Sequence, residues 1–247
     1  MCSRFIFLVF ASGLSVQASD TRALPRNCEQ CLIVTTASWD ASAGQLRLVE
    51  RTGQGAWKFE GVPVPVLIGK KGLAWGRGIF AQPGLPGPQK IEGDDKAPAG
   101  VFRLGSAFGY AREAPATKLP YLPLSQDIVA VDDPKSRHYN QLIDQSKINQ
   151  RDWHSSEKMI LGDDRYKWGI VVQHNVPPVP GAGSCIFLHV WKDPKTATTG
   201  CTAMPEAALL NLIHRLDPAS HPLLIQLPAP LYDELGPGWN LPPRRPL

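Results

Sequence analysis

Twenty-four prolines and twenty-two glycines are scattered through 247 residues, and they decide what kind of fold is open to the chain. Proline removes a backbone donor and glycine weakens helix interiors. The sequence is therefore cut into short pieces separated by turns, the pattern of a β-rich fold. A hydrophobic fraction of 43% is enough for a real core, so disorder is not the expectation. The net charge of +4 is spread along the chain, with no block of Lys and Arg to track phosphates. A nucleic-acid partner is thus not expected. A pI near 8.8 favours an acidic partner, such as an anionic cell-wall polymer.

Residues 1–18 read as a secretory signal. Arg4 supplies the positive start, Phe5 to Leu14 the apolar run, and Val16-Gln17-Ala18 a small-residue cleavage site. The run is short of the roughly 20 apolar residues that span a membrane, and no later stretch is long and apolar enough to do so. Cys2 precedes the apolar run, so it is not placed for lipid attachment. The expectation is an exported, periplasmic or envelope protein of residues 19–247, monomeric, without a transmembrane segment. Export leaves Cys28, Cys31, Cys185 and Cys201, an even count that first suggests two disulfides in an oxidising compartment. Their pairing stays open at this level.

Strands are expected at 31–39 and 44–51 around an Asp40–Ala43 hairpin, and at 62–69, where Pro63 and Pro65 mark an edge. Further strands are expected at 101–104, 127–133, 168–175, 185–191 and 223–227. Helices are expected at 137–146 and, more clearly, at 205–216, where Leu209, Leu212, Ile213 and Leu216 share one face behind Pro205. The resulting division is an N-terminal segment (19–30), one β-dominated domain (31–228) and a Pro-rich tail (229–247).

Within "CIFLHVW" (185–191), strand alternation puts Cys185, Phe187, His189 and Trp191 on one face. Ile186, Leu188 and Val190 share the other, which should face the core. The loop "KDPKTATTG" then leads to Cys201. Its sequence neighbours Thr198, Thr199, Gly200, Thr202 and Ala203 are small or hydroxylated, letting backbone N–H groups converge, with Gly200 free to take positive φ. A helix starting at Pro205 would favour a thiolate. A thiol nucleophile needs a base within reach and donors for an oxyanion, and His189 with the Gly200-Cys201 turn can supply both.

His189, "TTGC" and Met204 resemble the His…Ser-His-Gly-Cys-x-x-Met signature of the L,D-transpeptidase (YkuD) catalytic domain. "GDDKAPAGVF" (93–102) is similar to that family's upstream Gly-Asp-…-Thr-Pro-x-Gly-x-Phe element. "LIVTTA", "GLAWGRG", "DDPKSRHYN", "DWHSSEKM" and "IFLHVW" resemble a divergent branch, and the likeness runs from about Leu32 to about Leu227. Thr199 stands where the archetypes have His, Ala203 where an Arg is frequent, and Ala97 where the upstream element has Thr. The resemblance implies a YkuD-like β-sandwich with a few short helices, and no cofactor or metal. It further implies an exported cysteine acyltransferase acting on peptidoglycan stem peptides. Cys201 would be the nucleophile, His189 the general base and proton donor, and the Gly200 and Cys201 amides the oxyanion hole. Cross-linking or hydrolysis would follow, and a catalytically weak or inactive wall-binding module is the alternative.

Thr199, Tyr139, Asn140 and Trp191 are candidate substrate contacts. Asp132, Asp133, Ser136 and His138 could line the same groove or cap local structure, and Trp153, Ser156 and Glu157 could form its wall, unless Trp153 simply plugs the core. His174 reads as a polar strand terminus rather than a second base, and Trp75 as a loop-packing aromatic rather than a glycan platform. A zinc hydrolase using His174, His189, Cys185 and Cys201 has no matching ligand spacing. A sortase-like enzyme lacks the required strand Arg. Cys28-x-x-Cys31 has redox spacing without the flanking strand and helix of such a site.

Overall fold

The computed structural model describes residues 22–80 and 84–244, so the expected leader and Cys2 lie outside the described residues. β1 (Gln30–Thr36) and β2 (Ala43–Glu50) form the expected antiparallel hairpin. β3 (Lys58–Leu67) continues against β2. A short β4 (Leu73–Trp75) precedes the long β5 (Ala97–Gly109), and β6 (Tyr121–Pro123) joins β5 at its far end. β7 (Ile128–Val131), β8 (Gln141–Asp144) and β9 (Ser156–Lys158) make a separate three-stranded sheet in the order β8-β7-β9. β10 (Trp168–Val172), β11 (Phe187–Val190), β12 (Thr202–Met204), α1 (Glu206–Arg215), β13 (Leu223–Pro228) and α2 (Ala229–Trp239) complete the chain.

The main sheet runs β10-β11-β12-β3-β2-β1-β13-β5, and β5 pairs back onto β10. The strands therefore close into a barrel, which corrects the expected two-sheet sandwich. β5 makes the closure. Its first part, Gly100–Arg103, pairs with β13, and Leu104–Gly109 pairs with β10, where a register shift between Ile170 and Val172 bends the ladder. β3 meets β12 only at Leu67 opposite Ala203, so Pro63 and Pro65 fall where the second edge carries no ladder.

Two further expectations need correction. Residues 137–146 hold no α-helix; Gln141–Asp144 is strand, because Leu142 and Ile143 pair with Ala130 and Val129 of β7. The Pro-rich tail is not loose chain. Pro230 suits the first turn of α2, and Leu231, Tyr232 and Trp239 are buried in the main core. The N-terminal segment joins that core as well, with Leu24 N–H donating to Trp239 O at 3.0 Å. α1 presents Leu209, Leu212 and Ile213 to the core as the heptad-like spacing predicts.

Trp75 is a packing residue. It lies 2% exposed, edge-on to Trp39 at 5.3 Å and tilted against Trp239 at 6.4 Å, with its indole N–H on Pro86 O at 2.6 Å. The turn that delivers it depends on Gly72, at φ +83°, where an added Cβ would stand 1.9 Å from Trp39 O. Replacing Gly72 with Ala combines a disfavoured left-handed backbone with a clash against main chain. The expected cost is about 3 kcal/mol, read as a lowered urea midpoint at unchanged slope.

Candidate active site

β11 places its side chains as strand alternation requires. Ile186, Leu188 and Val190 enter the main core, and Phe187 with Cys185 joins a second, smaller cluster between the barrel wall and the three-stranded sheet. His189 follows on that second face. β12 runs parallel to β11 with Leu188 opposite Thr202 and His189 opposite Ala203. Cys201, just before β12, thus falls beside Phe187, diagonal to His189. Strand geometry sets their Cα atoms about 8 Å apart, within side-chain reach. Both line a cavity of about 320 Å³, together with Glu157, Arg165, Tyr166, Cys185, Thr199 and Ala203.

The thiol is more enclosed than its sequence neighbours suggest. Cys201 is 9% exposed and packs in the cluster of Phe108, Met159, Tyr166 and Phe187. The small flanking residues shape the turn, while bulky residues arrive from other elements. Phe187 N–H donates to Cys201 Sγ at 3.3 Å, and the thiol itself points toward Cys185 O at 3.7 Å. Burial pushes the thiol pKa up to about 12, the negative charge of Glu157 adds to this, and the Phe187 N–H opposes it. The expectation of a thiolate favoured by the following helix is therefore corrected: desolvation outweighs any pull from α1, which begins beyond β12.

His189 is held in one tautomer. Its Nδ1–H donates to Val190 O at 2.7 Å, which leaves the Nε2 lone pair as the basic position. Burial lowers its pKa to about 4, against the pull of that hydrogen bond. Tyr166 stands edge-on to the imidazole at 5.3 Å and donates its hydroxyl to Glu157 Oε1 at 2.8 Å. The resting pair is thus neutral thiol and neutral imidazole.

The Gly200-Cys201 turn is fixed by Thr198, whose hydroxyl donates to Cys201 O at 2.6 Å and accepts from Gly200 N–H at 3.1 Å. Gly200 does not adopt positive φ; among its neighbours that conformation belongs to Cys185, at φ +54°. The Gly200 amide assigned to an oxyanion is therefore already engaged, while the Cys201 amide lies in the same turn. All four described cysteines are free, with Cys28 Sγ and Cys31 Sγ 3.4 Å apart in the main core.

Thr199 lines the cavity, exposed, as expected of a substrate contact. Tyr139, Asn140 and Trp191 do not line it. Tyr139 is buried with its hydroxyl on Glu92, and Asn140 braces the loops by bonding His174 O, Asn175 O and the Cys185 N–H. Trp191 continues the strand, its N–H on Met204 O. Asp133 caps turns through Lys135 N–H and His154 N–H, and Ser136 bonds Asp152. Trp153 packs on Val129 and Val131, and His174 is buried between Arg77 N–H and Ala182 O. From that polar set, Asp132 and Glu157 reach the cavity.

Arg165, Tyr166, Lys90 and Lys192 also line it and were not singled out by sequence. Arg165 and Tyr166 sit in a loop with no motif. The available signal was an aromatic-basic pair directly before a strand, too common to select. Among the described residues no three His, Cys, Asp or Glu side chains gather as metal ligands. No family model, curated protein or solved structure matches the chain.

Proposed function

We propose that this protein is an exported cysteine acyltransferase of L,D-transpeptidase type, acting on peptidoglycan stem peptides through a thioester on Cys201. The observation that carries the reading is a free thiol and a tautomer-locked imidazole facing one cavity from neighbouring strands. The ordered sequence blocks that resemble the YkuD domain supply the substrate class. A cavity of about 320 Å³ is within the range that ligand sites occupy.

In this mechanism the bound peptide draws the thiol away from Cys185 O, and His189 Nε2 takes its proton as Sγ attacks the carbonyl carbon. The general-base form follows from the neutral resting pair, since a thiol held near 12 supplies almost no thiolate at pH 7. The Cys201 amide donates to the tetrahedral oxygen, a contact of a kind worth about 3 kcal/mol of barrier. His189 then returns the proton to the leaving amine, giving the thioester.

The test is incubation of the full mature chain with muropeptides, read by intact-protein mass and product analysis. Wild type is expected to carry an acyl adduct and process the peptide, and Cys201→Ala is expected to do neither. Equal processing by both proteins would remove Cys201 from the chemistry. Peptide binding without adduct or turnover in wild type would leave a wall-binding module in its place.

A further inference from the structure

We propose that Cys28 and Cys31 are the oxidation site of this chain: exchange with a small disulfide joins them into one intrachain disulfide that fastens the N-terminal segment to β1, while Cys185 and Cys201 stay thiols. The inference stands apart from the acyl-transfer reading and concerns a different cluster of the molecule.

The two sulfurs are already in contact. Cys28 Sγ and Cys31 Sγ lie 3.4 Å apart, with Cys28 in a turn closed by its own N–H on Pro25 O at 3.0 Å and Cys31 inside β1. Bonding them asks the sulfurs to approach by about 1.4 Å, a movement that side-chain rotation can supply. No other pairing is set up in this way. Cys28 and Cys31 belong to the main core, whereas Cys185 and Cys201 pack with the second cluster. Within that second pair the sulfurs turn to different carbonyls, Cys201 Sγ to Cys185 O at 3.7 Å and Cys185 Sγ to Val131 O at 3.5 Å. An even count of cysteines therefore resolves into one bridge and two thiols.

The turn that the bond would lock is a junction. Arg51 Nε donates to Cys28 O at 2.9 Å, Glu29 N–H to Ser220 O at 2.8 Å, and Gln30 Nε2 to Arg215 O at 3.0 Å. The end of β2, the end of α1 and the approach to β13 thus all meet residues 28–30. A bridge here restrains the unfolded chain at that meeting point, by a modest amount because the closed loop is short.

Both cysteines are 0% exposed, so the exchange belongs to folding, before the core closes over the turn. The turn also orders the steps. The hydrogen bond from Cys31, helped by Arg51, lowers the pKa of Cys28, while burial pushes that of Cys31 up. Cys28, as thiolate, attacks one sulfur of the small disulfide, whose S–S bond breaks to release a first small thiol. Cys31 then attacks the Cys28 sulfur of the mixed disulfide and expels the second small thiol. The two cysteines are oxidised, the small disulfide is reduced, and the two protein protons leave on the two small thiols.

The experiment refolds the reduced full mature chain from urea in a mixture of reduced and oxidised glutathione. The sample is quenched in acid and alkylated in denaturant before tryptic mass analysis. Cys28 and Cys31 share the peptide 27–47, between Arg26 and Arg47. That peptide is expected without alkyl groups and lighter by two hydrogens than the dithiol, with Cys185 and Cys201 both alkylated. Cys185→Ala should keep the linkage, and Cys31→Ala should leave Cys28 alkylated or carrying glutathione. Reductant should lower the urea midpoint of the oxidised wild type and leave that of the Cys28→Ala/Cys31→Ala double variant where it was. A peptide 27–47 alkylated on both cysteines, or joined to a peptide that carries Cys185 or Cys201, overturns the inference. So does a wild-type midpoint that ignores reductant, since the bridge would then fasten nothing. Loss of the 27–47 linkage with Cys201 still alkylated leaves the acyl-transfer reading untouched.

Discussion

Replacing His189 with Ala is expected to slow thioester formation on Cys201 by about a thousandfold at pH 7, within the range assigned to a positioned general base. The form of the pH profile is more diagnostic than the size of the loss. A thiol with its pKa near 12 and an imidazole with its pKa near 4 are both neutral across the physiological range. Wild-type acylation should therefore change little between pH 6 and 8, because the base is unprotonated and the thiol intact throughout. The His189→Ala enzyme has no internal base and must wait for hydroxide to ionise the sulfur. Its rate should climb about tenfold per pH unit, narrowing the gap as the solution turns alkaline. Alkylation of the wild-type thiol by a small haloacetamide should rise in the same manner, with no plateau near neutrality. A neutral-pH plateau in that alkylation would mean a preformed thiolate–imidazolium pair, and the general-base step would be wrong.

The part of this site legible in the sequence was the part encoded by local periodicity. Strand alternation assigned Ile186, Leu188 and Val190 to the core, and their placement in the main cluster follows from it. The same alternation put Cys185, Phe187 and His189 on the opposite face, where Phe187 and Cys185 pack in the second cluster. The helix over Glu206–Arg215 was legible for the same reason. Closure of the barrel was not, because it depends on β5 pairing with β10 across the intervening small sheet, and nothing in either strand's own pattern names the other. Gln141–Asp144 misleads because Leu142 and Ile143 are as compatible with helix as with strand until β7 offers a ladder. The tail helix was hidden by Pro230, which the first turn tolerates, and by Pro237, which lies inside the helix and argues against one from sequence. The enclosure of Cys201 is the clearest case. Flanking Thr, Gly and Ala promise an open thiol, yet Phe108, Met159 and Tyr166 close over it from other elements. Nucleophile and base could be named from spacing, but the environment that sets their protonation is tertiary.

That environment has a cost that should appear when the protein is acidified. His174 and His189 are 1% and 5% exposed, and burial depresses each pKa from 6.5 to about 4. Folded-state values below unfolded ones mean the stabilising contribution is complete above pH 6.5 and is lost as pH falls toward 4, because the unfolded chain binds the protons first. At 1.36 kcal/mol per pKa unit each histidine withdraws about 3 kcal/mol, a large share of a typical 5–15 kcal/mol total. The surroundings do not cancel this. Lys90 and Arg77 add to the depression at His174 and Arg165 adds to it at His189, while Asp94 and Asp163 only partly oppose. Glu157 acts in the other direction, since burial raises its pKa and acid relieves that cost, but it is a single carboxyl against two imidazoles. Urea midpoints measured from pH 7.5 to 4 are therefore expected to fall steeply below pH 6.5, at up to about 2.7 kcal/mol per pH unit while both histidines titrate only in the unfolded chain. Replacing His174 with Asn, a residue that does not line the cavity, should halve that slope whatever it does to the absolute stability. A slope unchanged by the substitution, or a flat profile through this window, would show that the two imidazoles reach solvent far more readily than their burial implies. His189 would then lose the dry setting on which its role as a neutral base depends.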